Sequence, residues 1–253
     1  MERKAFYRLV VLTVLVMALV GLNAHPAVAK DDDIVIAPIS STPEGQTYGR
    51  WAAEWWQWAE GIPADVNPVT DTTGEHCAQR QVDNVWFLAG SFGSDPVVRT
   101  CEIPSGKSLF FPLINTSYGA FLNDPPATRT EEFVREKGSC HKPAQISVQI
   151  DGFTIPSPTG FFTGPSGSQS PFFNVQLPPH NVFGLVPGGL TSHGKKVASE
   201  LVLSPSAEQG YYLFVGPLSP GTHTIRWTAS GCEAGFSQDI TYHLTVAGGD
   251  RKH

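Results

Sequence analysis

The chain has 253 residues, with 17 lysines and arginines against 23 aspartates and glutamates, a net charge of −6 at pH 7. That balance excludes the basic surface that nucleic acid or an anionic membrane would need. Its 25 glycines and 21 prolines interrupt it too often for a helix bundle and suit short strands joined by turns, within a length that one large β domain accommodates.

Taken in chain order, residues 1–29 open with Arg3, Lys4 and Arg8, continue through the apolar run Leu9–Leu22 and end in Ala27-Val28-Ala29. Basic start, apolar middle and small-x-small end are the parts of an export signal, so the expectation is cleavage near Ala29 and a secreted or periplasmic protein. The apolar run is short for a membrane span, and no later segment reaches the needed length, so no span is expected in the mature chain. Residues 30–253 are read as a single domain. The run Asp31-Asp32-Asp33 reads as a solvated terminal charge cluster.

Tyr48 to Ile62, YGRWAAEWWQWAEGI, is the long helical pattern of the chain and holds four tryptophans within eight residues. At 100° per residue, Tyr48, Trp51, Ala52, Trp55, Trp58, Ala59 and Ile62 share one stripe, while Arg50, Glu54, Gln57 and Glu60 take the other side. Thr42-Pro43-Glu44 is a start signal, although Gly45 and Gly49 allow a start as late as Thr47, and Gly61-x-Pro63 is a stop. Trp56 falls at the edge of the stripe and is expected to show a face to solvent. With Trp51 it is a candidate for stacking on a sugar or other ligand.

A polar loop, Pro63 to Asn84, follows and carries Asp71 and His76 before the apolar strand Val85–Gly90. The next strand, Val97–Ile103, carries Arg99. In Ser108–Asn115, Pro112 predicts an edge strand or a bulge, and Asn115-Thr116-Ser117 matches a glycosylation acceptor. Cys77, Cys101, Cys140 and Cys232 are an even set in an exported chain, which points to two disulfides, with Cys77–Cys101 and Cys140–Cys232 preferred. No two cysteines have close ligand spacing, and no histidine pair has it either, so neither metal nor cofactor is expected.

Several of these stretches together carry a resemblance. Tyr48-Gly49-Arg50-Trp51 with Trp55-Trp56-x-Trp58, Val85-Trp86-Phe87-Leu88-Ala89-Gly90, Arg99-x-Cys101-x-Ile103-Pro104-x-Gly106-Lys107, Phe110–Asn115 and Pro217-Leu218-x-Pro220-Gly221-x-His223-x-Ile225 are similar to a family of exported microbial proteins of unknown function. The resemblance implies export and brings no catalytic residue with it.

Thr128–Lys137, acidic early and basic late with Gly138 behind it, predicts a short second helix. Gln145–Asp151 and Phe153–Ile155 predict a hairpin about Asp151-Gly152. Pro156–Pro171 reads as a loop whose Phe161 and Phe162 fold over the core or form an apolar lid. Further strands are expected at Phe172–Leu177, Lys196–Leu203, Gly210–Val215, His223–Ala229 and Asp239–Val246. The whole predicts a mainly β protein, a two-sheet antiparallel β-sandwich of immunoglobulin-like or jelly-roll-like type, with an N-terminal Trp-rich helix on an open face or end and a short second helix.

For function, the leading expectation is a non-catalytic binding protein that recognises a carbohydrate or an envelope partner with Trp51, Trp56 and the 64–84 loop. The alternatives are a hydrolase built on Asp71, His76 and Arg99, and a structural envelope component. Other carboxylates, Glu75, Asp83, Glu102 and Asp124, lack the paired spacing that glycosidase chemistry would signal.

Overall fold

The computed structural model describes residues 34–81, 83–165 and 168–248. The expected export signal and the acidic run at 31–33 lie outside them. Three layers stack on one another: a helix, a central sheet and an outer sheet.

The central sheet has the order β1-β3-β7-β6, formed by β1 (Val85–Phe87), β3 (Ser108–Phe121), β7 (Val202–Val215) and β6 (Phe173–Gln176). The outer sheet has the order β2-β9-β8-β4-β5, formed by β2 (Val97–Ile103), β9 (Ser237–Val246), β8 (Gly221–Cys232), β4 (Lys142–Ile150) and β5 (Phe153–Thr154). The two sheets make the expected sandwich. Most pairings are antiparallel, while two edge strands join in parallel, β1 on β3 and β2 on β9.

Alternation decides which layer each side chain enters, because successive strand residues face opposite sides. From the central sheet, Trp86, Leu88, Leu109, Phe111, Leu213 and Val215 pack on the outer sheet's Val148, Ile225, Trp227, Ile240, Tyr242 and Leu244. Val85, Phe87, Phe110, Tyr212 and Phe214 take the other side, against the helix. Where it lies between the helix and the outer sheet the central sheet is therefore apolar on both faces, and Val85–Phe87 and Leu109–Ile114 are unbroken apolar runs. The outer sheet alternates buried and exposed, as in β2, because its far face meets water.

The helix, α1 (Tyr48–Gly61), begins later than Thr42 suggests. Pro43–Gly45 forms a separate 3-10 turn, in which Glu44 and Gly45 have positive φ, and Thr47 caps α1 by accepting a bond from the Arg50 amide at 3.3 Å. Gly49 is required by a close approach: a Cβ there would lie 2.4 Å from the Gln169 backbone, where the 164–170 loop crosses the helix. Only Arg50, Glu54, Gln57 and Gly61 escape burial on α1. Two expectations are corrected here. Trp56 shows no face to solvent, being 5 % exposed, and Glu60, placed on the polar side by the helical wheel, is 3 % exposed. The wheel assumes a helix covered from one side, whereas α1 is flanked by the sheet, by the 63–70 loop and by β6.

Three further expectations are refined. Pro112 does sit at a bulge, between Pro112 and Ile114, but β3 is a central strand rather than an edge. The bulge turns both Leu113 and Ile114 toward the outer sheet. The expected strand Lys196–Leu203 is absent over most of its length, and β7 begins at Val202 after Leu201 adopts a positive φ. The acceptor motif at Asn115 lies within β3 with its amide bonded to the Tyr212 hydroxyl at 3.0 Å, which removes it from the exposed loops that glycosylation requires.

The second helix is α2 (Glu131–Lys137), capped by Thr130. Disulfides join Cys77 to Cys101 and Cys140 to Cys232, closing segments of 24 and 92 residues. Phe161 packs on both cores and Phe162 on Tyr211 (4.7 Å between centroids), so the loop folds inward. No helix among the described residues is long and apolar enough to cross a membrane.

Burial of Trp56 sets a test of its role. Trp56→Ala removes a core ring and is expected to cost about 3–5 kcal/mol in denaturant unfolding. Trp56→Phe, which keeps most of the volume and loses the indole N–H, costs less. Equal, near-zero costs for both would return the ring to the surface.

Candidate functional site

Three regions concentrate polar chemistry, and the first holds the residues expected from sequence. Arg99 projects inward from β2 and is 1 % exposed. Its Nε donates to the Asp71 carbonyl (2.7 Å), Nη1 to the Ala89 carbonyl (2.7 Å) and the Tyr242 hydroxyl (3.0 Å), and Nη2 to the carbonyls of Gly90 (3.0 Å) and Val69 (3.4 Å). All five guanidinium N–H groups are used. The cation neutralises the dipoles of a loop that has no sheet partner of its own, which is how a buried charge without a carboxylate beside it is accommodated.

Asp71 is engaged in the same way. Its Oδ1 accepts from the Thr73 amide (2.7 Å) and hydroxyl (2.8 Å), and its Oδ2 from the amides of Gly74 and His76, both at 2.9 Å. Partial burial acts to raise its pKa, but these four bonds to the ionised form outweigh that and hold it below the usual carboxylate value. The turn they build lies against β2, where the Thr100 amide donates to the Thr73 carbonyl at 2.9 Å. Gly74, at φ +95°, approaches the Thr100 backbone so closely that a Cβ would fall 2.3 Å from its carbonyl oxygen. His76 contributes its amide to the turn, and its half-buried imidazole makes no hydrogen bond among the described residues. The structure thus brings Asp71, His76 and Arg99 into one region and spends Asp71 and Arg99 on the backbone, leaving neither a free donor or acceptor for a substrate.

Trp51 and Trp56, the stacking candidates, belong to the second region, the layer between α1 and the central sheet. Trp51 Nε1 donates to the Pro43 carbonyl at 3.0 Å and Trp56 Nε1 to the Tyr212 hydroxyl at 3.1 Å. The Tyr212 hydroxyl in turn donates to Glu208 Oε2 at 2.7 Å, which also accepts from Thr163 Oγ1 at 3.3 Å. Glu208 is 1 % exposed, and burial, only partly offset by the hydrogen bonds from Tyr212 and other hydroxyls and by the charge of Arg135, raises its pKa to about 7. Burial likewise raises Glu60 to about 8, against one opposing hydrogen bond from Ser117. Sequence reasoning missed both acids, since Glu60 falls on the polar side of the helical wheel and Glu208 sits in the polar stretch Ser204–Gly210, with no spacing signature for either. For Glu60 the apolar neighbours Trp58, Ala59 and Ile62 were the available signal, because a carboxyl inside a helix that is otherwise core has a perturbed pKa.

The third region is an open groove between residues 118–128 and 186–200. Two concavities adjoin in it. One, of about 500 Å³, is lined by Asn123, Lys196, Ser199 and Glu200 among others, and the other, of about 390 Å³, by Tyr118, Asn123, Asp124, Thr128, Lys195 and Lys196. The Asn123 amide donates to the Lys196 carbonyl at 3.2 Å and ties the two walls together. Lys195 Nζ lies 2.5 Å from Asp124 Oδ2 and 5.0 Å from the centroid of the Phe121 ring, while Asp124, with 3 % of its side chain exposed, also receives the Phe121 amide at 2.9 Å. Lys196, Ser199, Glu200 and Asn123 are exposed, and Tyr118 is half-buried against Phe133 of α2 (5.9 Å between centroids). The lining charges balance, two lysines against Asp124 and Glu200.

Comparison with known proteins adds little to this geometry. No known family profile matches the chain, and no curated protein matches it. Among solved structures, one described as the structure of PbICP-C in complex with falcipain-2 is 12 % identical and covers 65 % of this chain and 99 % of its own, with a TM-score of 0.25. A likeness that slight carries no argument.

The Arg99 network makes its own prediction. Arg99→Met keeps much of the volume but strands several buried carbonyls and the Tyr242 hydroxyl, so unfolding measurements should show a loss of about 3–5 kcal/mol, more than for Asp71→Asn, which keeps one of the two acceptor oxygens at a partly exposed site. A loss under about 1 kcal/mol for Arg99→Met would release the residue from this structural role.

Proposed function

We propose that the chain is a non-catalytic exported protein, of the family it resembles in sequence, that binds a carbohydrate in the groove between residues 118–128 and 186–200. The observation that carries this reading is the make-up of the groove. An uncharged polyhydroxylated ligand needs donors and acceptors in balance, with an aromatic ring for the C–H face of a sugar. Asn123, Ser199, Lys196 and Glu200 supply the former on exposed walls, and Tyr118 the latter. The binding surface is thereby moved from Trp51 and Trp56, which the core occupies, to the far end of β3.

The two disulfides fit folding in an oxidising compartment, secreted or periplasmic. A second reading, an envelope protein as the partner, is favoured by one feature: Phe92 and Phe183, 42 % and 44 % exposed, pair at the surface with ring centroids 5.9 Å apart. The hydrolase reading finds no support in the Asp71 and Arg99 bonding, and nothing speaks for a purely structural component.

A glycan array probed with the chain from Lys30 onward, followed by calorimetric titration of the retained glycans, tests the proposal. Ser199→Ala and Lys196→Ala, both at exposed positions, are expected to weaken binding about tenfold or more, about 1.4 kcal/mol each, without changing Tm appreciably. Retention of no glycan, or unchanged affinity in both variants, overturns it. Loss of partner cross-linking in Phe183→Ser, with glycans ignored, would favour the second reading instead.

A further inference from the structure

Glu60 and Glu208 stand apart from everything the groove uses. Glu60 lies in the last turn of α1, where unpaired carbonyl groups make the helix end negative, an unfavourable place for a carboxylate. Its one side-chain partner is Ser117 Oγ, at 3.1 Å. Ser117 is in turn the cross-strand partner of Glu208, so the two acids approach the same point of the α1–sheet layer from helix and strand. Glu208 Oε2 receives Tyr212 and Thr163, while its Oε1, also buried, has no partner among the described residues.

Of the charged groups on the surrounding elements, Arg135 acts on Glu208, and its charge offsets the burial of that acid only in part. From β3 come Ser117 and Asn115, both neutral. From β7 comes Tyr212, whose oxygen already accepts from Trp56 and Asn115. The 63–84 loop contributes Arg80, but its Nη1 is bonded to the Gly61 carbonyl at 2.8 Å. From α2, Arg135 reaches toward Glu208 but bonds to Ser170 Oγ at 3.4 Å and lies over the Phe172 ring at 4.1 Å. Among the described residues of 161–170, Thr163 bonds Glu208 Oε2 and Ser170 bonds the Glu208 carbonyl, and both are neutral. Neither acid has a salt bridge among the described residues.

The geometry points to a pH-sensitive latch in the seat of α1, closed while Glu60 and Glu208 carry their protons and loosened when they ionise. Placing a negative charge in an apolar layer without a salt-bridge partner is costly, in full for Glu60 and, for Glu208, less the part that the charge of Arg135 offsets. The sign follows from the raised pKa values, about 8 for Glu60 and about 7 for Glu208. The folded state holds protons that the unfolded chain releases near 4.5, so the stabilisation is fully present below that pH. It declines as pH rises through 7 and 8. Ionisation therefore acts on the helix whose indoles fill the layer.

The test follows Tm and tryptophan emission of the wild type and of Glu60→Gln/Glu208→Gln from about pH 5 to about pH 9. The wild type is expected to lose several degrees of Tm between about pH 5 and about pH 8, with little further loss above, and to shift its emission to the red as pH rises through about 7 and about 8, and the double variant to lose most of that dependence. Equal pH dependence in both overturns the latch. Should the double variant fail to fold, infrared difference spectra of the wild type decide: the C=O band of a protonated carboxylic acid must persist at about pH 6 and vanish by about pH 9, and its absence at about pH 6 overturns the proposal.

Discussion

The four indole N–H groups of α1 are the constraint on which the rest of the structure depends. Trp51 donates to Pro43, Trp55 to Leu88, Trp56 to Tyr212 and Trp58 to Gln79, at 2.8–3.1 Å. Apolar burial alone would hold a helix against a sheet without choosing its rotation or its height, because it is non-directional. Four buried donors, each with a different acceptor on the N-terminal segment, the strand-end at Leu88, the central sheet and the 63–84 loop, remove that freedom. The helix is placed by its polar atoms and kept in place by its rings.

From that placement the layering follows. With α1 on one side and the outer sheet on the other, the central sheet must be apolar on both faces, and Phe110 and Phe111, adjacent in sequence, enter different cores. Phe110 stacks on Tyr212 (5.3 Å) beneath the helix, while Phe111 meets Trp227 (5.1 Å) between the sheets. The edges are handled separately: the Cys77–Cys101 bridge and the Arg99 bonds fasten the 67–84 loop along β2, which otherwise ends the outer sheet with unpaired backbone.

This layering also explains how much of the fold was legible in the sequence. The outer strands were read correctly because Ile240, Tyr242, Leu244 and Val246 alternate with polar residues, which identifies both the strand and its buried face. The continuous runs VWFLAG and FFPLIN identified strands but not their doubly buried position, so Pro112 suggested an edge. The even count of cysteines pointed to two disulfides, and of the three possible pairings the preferred one is the one that forms. Glu60 and Trp56 were misplaced because a wheel records the face of a helix and not how many layers surround it. Asp71 and Arg99 attracted attention as reactive side chains, but the pattern of polar residues in a loop does not distinguish chemistry from the need to pair that loop's own amides and carbonyls.

The position of the groove has the same origin. β3 and β7 pair over their full lengths, out to Phe121 and Leu203, whereas the outer sheet covers only the part nearer Leu109 and Val215. Beyond Ile114 the overhanging ribbon loses its second sheet, and α2 replaces it through Val134, packed with Ala120 and Ala207. A seven-residue helix is too short to cover that overhang. Residues 115–119 accordingly turn from buried to half-buried, and the concavity opens beside Tyr118. A fold that fixes its helix with every available indole has little freedom left at its centre for a ligand, and the surface it can offer lies where the layers run out.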